Sequence, residues 1–104
     1  MIYRHGFFFL NSDLQITYDI SGNELRIVGD AYTLLLVLCQ KRKVEMEELK
    51  ELLGFKKDYK GGKMNADIEA VNHAIGKEVV IIEQIEGEFE EKTIVSLRGD
   101  IVTE

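Results

Sequence analysis

The spacing of apolar residues changes twice along this chain of 104 residues, and these changes constrain its fold more than any other feature. After a short aromatic run, apolar residues alternate with polar ones over residues 14–18 and 24–28, a period of two that is typical of strands with one buried face. From Ala31 they recur at helical spacing, and from Val79 a strand-like run returns. The sequence therefore predicts an α+β fold, with strands on both sides of a helical region.

Three short strands are predicted in the N-terminal region. Asn11-Ser12-Asp13 and Ser21-Gly22-Asn23 carry residues that favour turns. Because only these short turns separate the strands, we expect a three-stranded antiparallel sheet over residues 1–29. Its strands are the aromatic run at 7–10 and the alternating segments at 14–18 and 24–28.

Three helices are predicted over residues 30–78. Asp30 is suited to cap the first, because its carboxylate can accept hydrogen bonds from free amides of the first turn. Gly54 is a residue that commonly follows a helix, and Gly76 lowers helix propensity enough for the third helix to end there. The predicted helices span residues 31–40, 44–53 and 65–77, with a basic loop at 55–63.

A β-hairpin is predicted over residues 79–104, with its turn at Glu86-Gly87-Glu88 and its returning strand at 93–97. Ile101-Val102 can add one more short strand. A chain of this length has room for one hydrophobic core. We therefore expect a single domain, with a sheet over 1–29, a three-helix core over 30–78 and a hairpin over 79–104.

Charge is distributed unevenly along the chain. The formal net charge is −6. Residues 1–63 carry ten Lys or Arg and nine Asp or Glu, whereas residues 64–104 carry three and ten. An acidic chain is not suited to coat nucleic acids by charge alone, without regard to their sequence.

The sequence offers little for catalysis or metal binding. Cys39 is the only cysteine, which excludes an internal disulfide, and His5 and His73 are too few to complete a structural zinc site. Cys39 lies on the apolar stripe of the first helix and is expected to be buried. We predict no catalytic residue, no metal and no cofactor, so the chain is not expected to be an enzyme.

No segment of the sequence has the length of a membrane span. The longest uncharged run, residues 31–40, is far shorter than the roughly 20 residues that a span needs. The first residues also lack the long apolar stretch of a signal peptide. We expect a cytoplasmic protein, or the soluble part of one that is anchored by residues outside this sequence.

The order of elements and three short motifs resemble a known family. The motifs are Asn23-Glu24-Leu25, the run Leu-Leu-Leu-Val-Leu-Cys at 34–39 and Val-Glu-Met-Glu-Glu-Leu at 44–49. They are similar to the winged helix-turn-helix domain of OmpR/PhoB response regulators, and most of all to the cytoplasmic domains of ToxR- and CadC-like regulators. The resemblance implies a bacterial transcriptional regulator that binds double-stranded DNA, often as a homodimer, and that can contact RNA polymerase.

In such a domain the third helix enters the major groove and the hairpin, called the wing, touches the minor groove. An amide side chain in the major groove can pair with adenine. By resemblance, the base-facing residues are Asn65, Glu69, Asn72 and His73. The residues expected on phosphates are Lys56, Lys57, Lys60, Lys63 and Lys77.

The acidic wing keeps a second function open. Carboxylates beside a phosphate backbone repel it. The alternative is a winged-helix protein-interaction module that has lost DNA binding. It would engage a protein partner through the exposed sheet or through the wing residues Glu86, Glu88, Glu90 and Glu91.

Overall fold

The computed structural model describes residues 1–53, 61–87, 89 and 91–104. Over these residues the chain forms three helices and two antiparallel sheets, so the predicted α+β class is confirmed. The predicted strand number is wrong. The N-terminal region contributes four strands rather than three, and two further strands, outside the predicted hairpin pair, complete the sheets.

The larger sheet joins both ends of the sequence. Its strands are β1 (Ile2–Arg4), β2 (Phe8–Asn11), β3 (Ile16–Asp19), β4 (Glu24–Leu25) and β8 (Val102–Thr103). They are arranged in the order β4-β3-β2-β1-β8. β1 was not predicted because it has three residues, of which only Tyr3 is buried, and so shows no alternation. β8 lies where an additional strand was expected, and it pairs with β1.

Asp19 organises the turn between β3 and β4. Its carboxylate accepts hydrogen bonds from the backbone N–H groups of Asn23 and Ser21, both at 2.9 Å. These bonds, the backbone bond from Asn23 first, lower the pKa of Asp19 below its ordinary value. Gly22 lies in this turn with φ +88°, a conformation that residues with a Cβ rarely adopt. The turn predicted from Ser21-Gly22-Asn23 is therefore confirmed.

The first helix, α1 (Gly29–Lys41), begins earlier than predicted. Asp30 is not its N-cap. The residue before the helix is Val28, which has an extended backbone and makes no side-chain cap hydrogen bond. Asp30 lies in the first turn instead, where a carboxylate suits the helix dipole.

A strand separates the first two helices where none was predicted. β5 (Lys43–Glu45) pairs with the hairpin, and α2 (Met46–Leu53) begins only after it. Val44 was assigned to the start of the second helix, but its side chain is buried in the smaller sheet opposite Val95. Three residues are too few for the sequence pattern to distinguish a strand from the first turn of a helix.

The third helix, α3 (Gly61–Ile75), starts four residues before the predicted position and ends at Ile75. Gly76 follows with φ +81°, and its N–H donates to the carbonyl of Asn72 at 2.8 Å. The glycine therefore ends the helix, as its low propensity indicated, and Lys77 lies outside it. The inner face of α3 packs in the core through the buried side chains of Met64, Ile68 and Val71.

The hairpin consists of β6 (Val80–Glu86) and β7 (Glu91–Leu97). β7 lies between β5 and β6, so β5 and β6 are the two edge strands of this sheet. Leu34, Leu35 and Leu38 of α1 are fully buried in the hydrophobic core that the helices share with both sheets. Cys39 is buried beside them, as predicted. No helix within the described ranges has the length and hydrophobicity needed to cross a lipid bilayer.

Candidate interaction site between the third helix and the hairpin

Three of the four residues predicted to face DNA bases are exposed on α3. Asn65, Glu69 and His73 have exposed side chains, on the side of the helix opposite its buried residues. Their spacing of four residues places them along one face. The predicted outward orientation of this face is therefore observed, whatever it binds.

Asn72, the fourth predicted base-facing residue, contacts the hairpin instead. Its Oδ1 accepts hydrogen bonds from the N–H of Val79 at 3.0 Å and of Val80 at 2.9 Å. Its Nδ2 donates to the carbonyl of Val80 at 3.0 Å. Both polar atoms of the amide are thus used within the chain. The predicted contact with a base does not fit this geometry.

Lys63, predicted to meet a phosphate, lies between two carboxylates. Its Nζ is 2.8 Å from Asp30 and 3.4 Å from Asp67. The hydrogen bond with Asp30, more than any other contact, raises the pKa of Lys63 above its ordinary value. The ammonium remains charged, but these neighbours offset its field where α3 begins.

Lys77 is the other predicted phosphate-binding residue within the described chain, and it is exposed. Its Nζ lies 5.6 Å from the ring centroid of Phe7, which is 44% exposed. This distance fits a cation–π contact at the surface. Lys56, Lys57 and Lys60, together with Glu88 and Glu90 of the predicted interaction wing, lie outside the described residues.

The hairpin carries the acidic residues that the sequence indicated. Glu86 and Glu91 are exposed and face each other across the last register position of β6 and β7. Like charges in that arrangement weaken strand pairing. Lys92, close to them in sequence, binds Glu45 of β5 at 3.3 Å. The end of the hairpin therefore has negative charge available to a cationic group.

A groove of about 510 Å³ separates α3 from β6. Asn65 and Glu69 line it from the helix, Glu78 from the segment before β6, and Ile82 from the strand. Ile82 is 42% exposed. No lysine or arginine is among the described side chains that line the groove. It can thus hold an apolar group while it attracts positive charge.

Sequence reasoning missed both the groove and the exposed edge of β6 beside it. Nothing in the sequence pattern indicates that the amide of Asn72 turns towards the strand that follows it. The apolar run at residues 79–82 predicts a strand, but an apolar run alone does not identify an edge strand. Knowledge of the sheet order is needed to recognise the site.

His5 is buried, and its hydrogen bonds give it a structural role. Its Nδ1 accepts the N–H of Phe7 at 3.1 Å, so its Nε2 carries the proton and donates to the carbonyl of Arg98 at 2.6 Å. Its ring also stacks on Phe8 with centroids 4.7 Å apart. Within the described ranges, no three His, Cys, Asp or Glu side chains lie close enough together to hold a metal ion.

No protein-family model, curated protein or solved structure matches the chain.

Proposed function

We propose that this chain is a winged-helix interaction module that binds a protein partner through the groove between α3 and β6. Three helices followed by a hairpin, with β5 completing the hairpin sheet, support the winged-helix interpretation. The observation that carries the proposed function is the groove itself. It combines an exposed isoleucine with glutamates on both walls and lies beside the outward face of α3.

Two contacts around α3 favour this function over DNA recognition. Asn72 uses its amide to hold β6, and Lys63 is paired with Asp30 and Asp67. Protein–DNA affinity depends on cations that replace the counterions of phosphates. Here Glu69 and Glu78 line the groove beside the outward face of α3, and no described lysine or arginine lines it.

DNA-binding transcriptional regulation is the second candidate. It is favoured by the exposure of Asn65, Glu69 and His73 along one face of α3, the helix that would enter the major groove, and of Lys77 just beyond it. The lysines at 56, 57 and 60 precede this helix in the sequence. A homodimer that places two such helices on DNA, or a contact with RNA polymerase, would belong to this candidate function.

Selection of binders from a random-peptide library, followed by affinity measurement, tests the protein-binding function. The double substitution Glu69→Lys with Glu78→Lys should weaken binding of the selected peptides at least tenfold. The matched control, Glu24→Lys with Glu51→Lys, makes the same change in net charge at exposed positions outside the groove, and should leave affinity within twofold. Equal effects of the two variants would contradict a groove-based function.

Binding to a pool of random DNA duplexes at low ionic strength tests the second candidate. We expect no binding. Sub-micromolar affinity that falls steeply with salt would instead support the regulator. In that case Lys77→Ala should reduce the slope of log affinity against log salt by about one unit, if Lys77 meets a phosphate.

A further inference from the structure

Two sets of hydrogen bonds show which backbone groups of β6 point away from β7. The N–H of Arg98 donates to the carbonyl of Val79 at 2.7 Å, which places Val80 and Leu97 in a non-hydrogen-bonded pair of the β6–β7 ladder. The N–H and C=O of Val80 consequently point away from β7. Asn72 binds both of them there.

The backbone groups of β6 continue to point alternately towards β7 and away from it along the strand. Backbone groups that point outward recur at every second residue of a β-strand. The N–H and C=O groups of Ile82, Gln84 and Glu86 therefore point away from β7, while those of Ile81, Glu83 and Ile85 bond to it. β6 has no strand on its outer side in the described part of the chain.

The groove runs along this edge rather than over one face of the sheet. Ile81 and Ile82 are consecutive, so their side chains point to opposite faces, yet both line the groove. Asn72 closes the groove at one end, because it binds Val80 in the way that a neighbouring strand would. Beyond Asn72 the groove offers the outward groups of Ile82 and an apolar side chain beside them.

We propose that β6 accepts an extended, lysine- or arginine-rich segment of a partner protein as an added strand, hydrogen-bonded to Ile82, Gln84 and Glu86. The inference rests on the proposed function and specifies how the partner binds. Main-chain hydrogen bonds supply affinity in this binding mode, and alternate side chains supply specificity. Every second side chain of the segment would contact Ile82 or its neighbours in the groove.

Charge identifies the partner as basic. Glu69 and Glu78 line the groove, and Glu83 and Glu86 lie on β6 itself. Glu86 also faces Glu91, a like-charge pair that a cation from the partner would relieve. A second copy of this chain would bring its own Glu83 and Glu86 to the same edge. The electrostatics therefore favour a basic segment over self-association.

A heptapeptide of alternating lysine and valine is the probe for this inference, and an alternating glutamate–valine peptide is its control. The lysine peptide should bind at least tenfold more tightly. On binding, hydrogen exchange should slow at the amides of Ile82, Gln84 and Glu86. The amides of Ile81, Glu83 and Ile85 should change little, because the β7 ladder already protects them.

Gln84→Pro tests the hydrogen bonds directly. Proline removes an N–H that points outward, which an edge strand tolerates, so binding should weaken at least tenfold while far-UV circular dichroism stays unchanged. Gln84→Ala, which keeps the N–H, should bind within twofold of the parent. If Gln84→Pro unfolds the chain, the alternating exchange pattern in the unsubstituted protein still decides the question.

Three outcomes contradict the inference in different ways. If peptides bind in the groove without the alternating protection, the strand-addition inference fails but the proposed function survives. If no library peptide or partner binds in the groove, both fail. Sedimentation measurements could instead reveal a dimer that Gln84→Pro dissociates. That result would show that a second copy of the chain occupies the edge of β6, and it would contradict the inference of a basic partner.

Discussion

Asn72 supplies the hydrogen bonds that a neighbouring strand would give to the start of β6. One amide satisfies two N–H donors and one carbonyl, at distances of 2.9 to 3.0 Å. The sequence pattern correctly indicated a polar residue on the helix near its exposed side. It did not indicate which polar side chain turns inward, because that depends on the strand packed beside the helix. Asn65 and Asn72 were both predicted to face bases, but Asn65 is exposed whereas Asn72 is half-buried and bonded to Val79 and Val80.

Asn72→Ala should destabilise the fold by about 2 kcal/mol, since it leaves backbone groups of the buried residues Val79 and Val80 without partners. Asn65→Ala is the matched control: it changes an exposed asparagine of the same helix and should alter stability by less than about 0.5 kcal/mol. Urea denaturation of the two variants measures the difference. Equal stability would show that the bonds to β6 contribute little.

Position 99 requires glycine for two reasons: its backbone conformation and the nearby ring of His5. Its φ is +96°, and a Cβ at this position would lie 2.6 Å from Nε2 of His5. Gly99→Ala should therefore cost more than Gly22→Ala, which has φ +88° but open space around it. We expect a difference of about 1 to 2 kcal/mol between the two variants. Thermal denaturation under the same conditions measures it, and similar losses would mean that the His5 ring moves aside at little cost.

The buried thiol of Cys39 makes the stability of the fold depend on pH in the alkaline range. Burial raises the pKa of its thiol from 9.0 to about 12. The unfolded chain therefore loses the thiol proton at lower pH than the folded chain. The contribution of the protonated thiol to the free energy of unfolding is fully present below pH 9 and is lost as pH rises from about 9 towards 12.

The measurement is denaturant stability between pH 8 and 11, compared with that of Cys39→Ala. Groups that do not interact with Cys39 contribute equally in both proteins, so the difference between them reports the thiol together with Tyr32, whose pKa is raised by burial first and by Cys39 second. The parent should lose stability more steeply above pH 9. Parallel curves would show that the thiol does not stay protonated in the folded state.

At the scale of elements, length decides what the sequence could predict. α1 and the two hairpin strands contain enough residues for a period to be visible, and each was predicted within a few residues. β1 and β5 have three residues each, and their positions depend on pairing with β2 and β7. The start of α3 was placed too late, because Gly61 and Gly62 disfavour helix and conceal its first turn.

The junction between α1 and β5 carries backbone strain. Arg42 has φ +70° and ends the helix by donating its N–H to the carbonyl of Leu38 at 2.8 Å. Glycine adopts such a conformation without the steric cost of a Cβ, so Arg42→Gly should stabilise the fold by roughly 0.5 to 1 kcal/mol.

The variant also removes an ion pair with Asp100, in which the charged atoms are 3.7 Å apart at the surface. Such pairs contribute little. Asp100→Asn, which removes the pair alone, should change stability by less than about 0.5 kcal/mol. Chemical denaturation of both variants checks the prediction, and a loss of stability in Arg42→Gly would show that the packing of the arginine side chain outweighs the strain.

At the scale of the whole molecule, the larger sheet unites the two ends of the sequence. Ile2 and Glu104 exchange two backbone hydrogen bonds, at 3.0 and 2.8 Å, and the side chains of Arg4 and Glu104 are 2.7 Å apart. Deletion of residues 101–104 should expose the edge of β1 and lower stability by about 1 to 2 kcal/mol.

Glu104→Gln keeps the strand but weakens the ion pair, and should cost less than about 1 kcal/mol. Hydrogen exchange at the amide of Ile2 provides a local measurement: it should accelerate in the truncated protein and not in Glu104→Gln. Unchanged exchange in the truncated protein would contradict a contribution of β8 to the sheet.

The pairing of Tyr3 with Thr103 also has a kinetic consequence, because one hundred positions separate these residues in the chain. During synthesis on a ribosome, β1 emerges well before β8, and the edge of β1 that pairs with β8 stays unpaired until β8 has left the exit tunnel. Contacts between such distant residues form slowly, since a long loop must close first. The nascent chain therefore presents an open sheet edge while the residues between β1 and β8 are being synthesised, the period in which chaperones would protect it from aggregation.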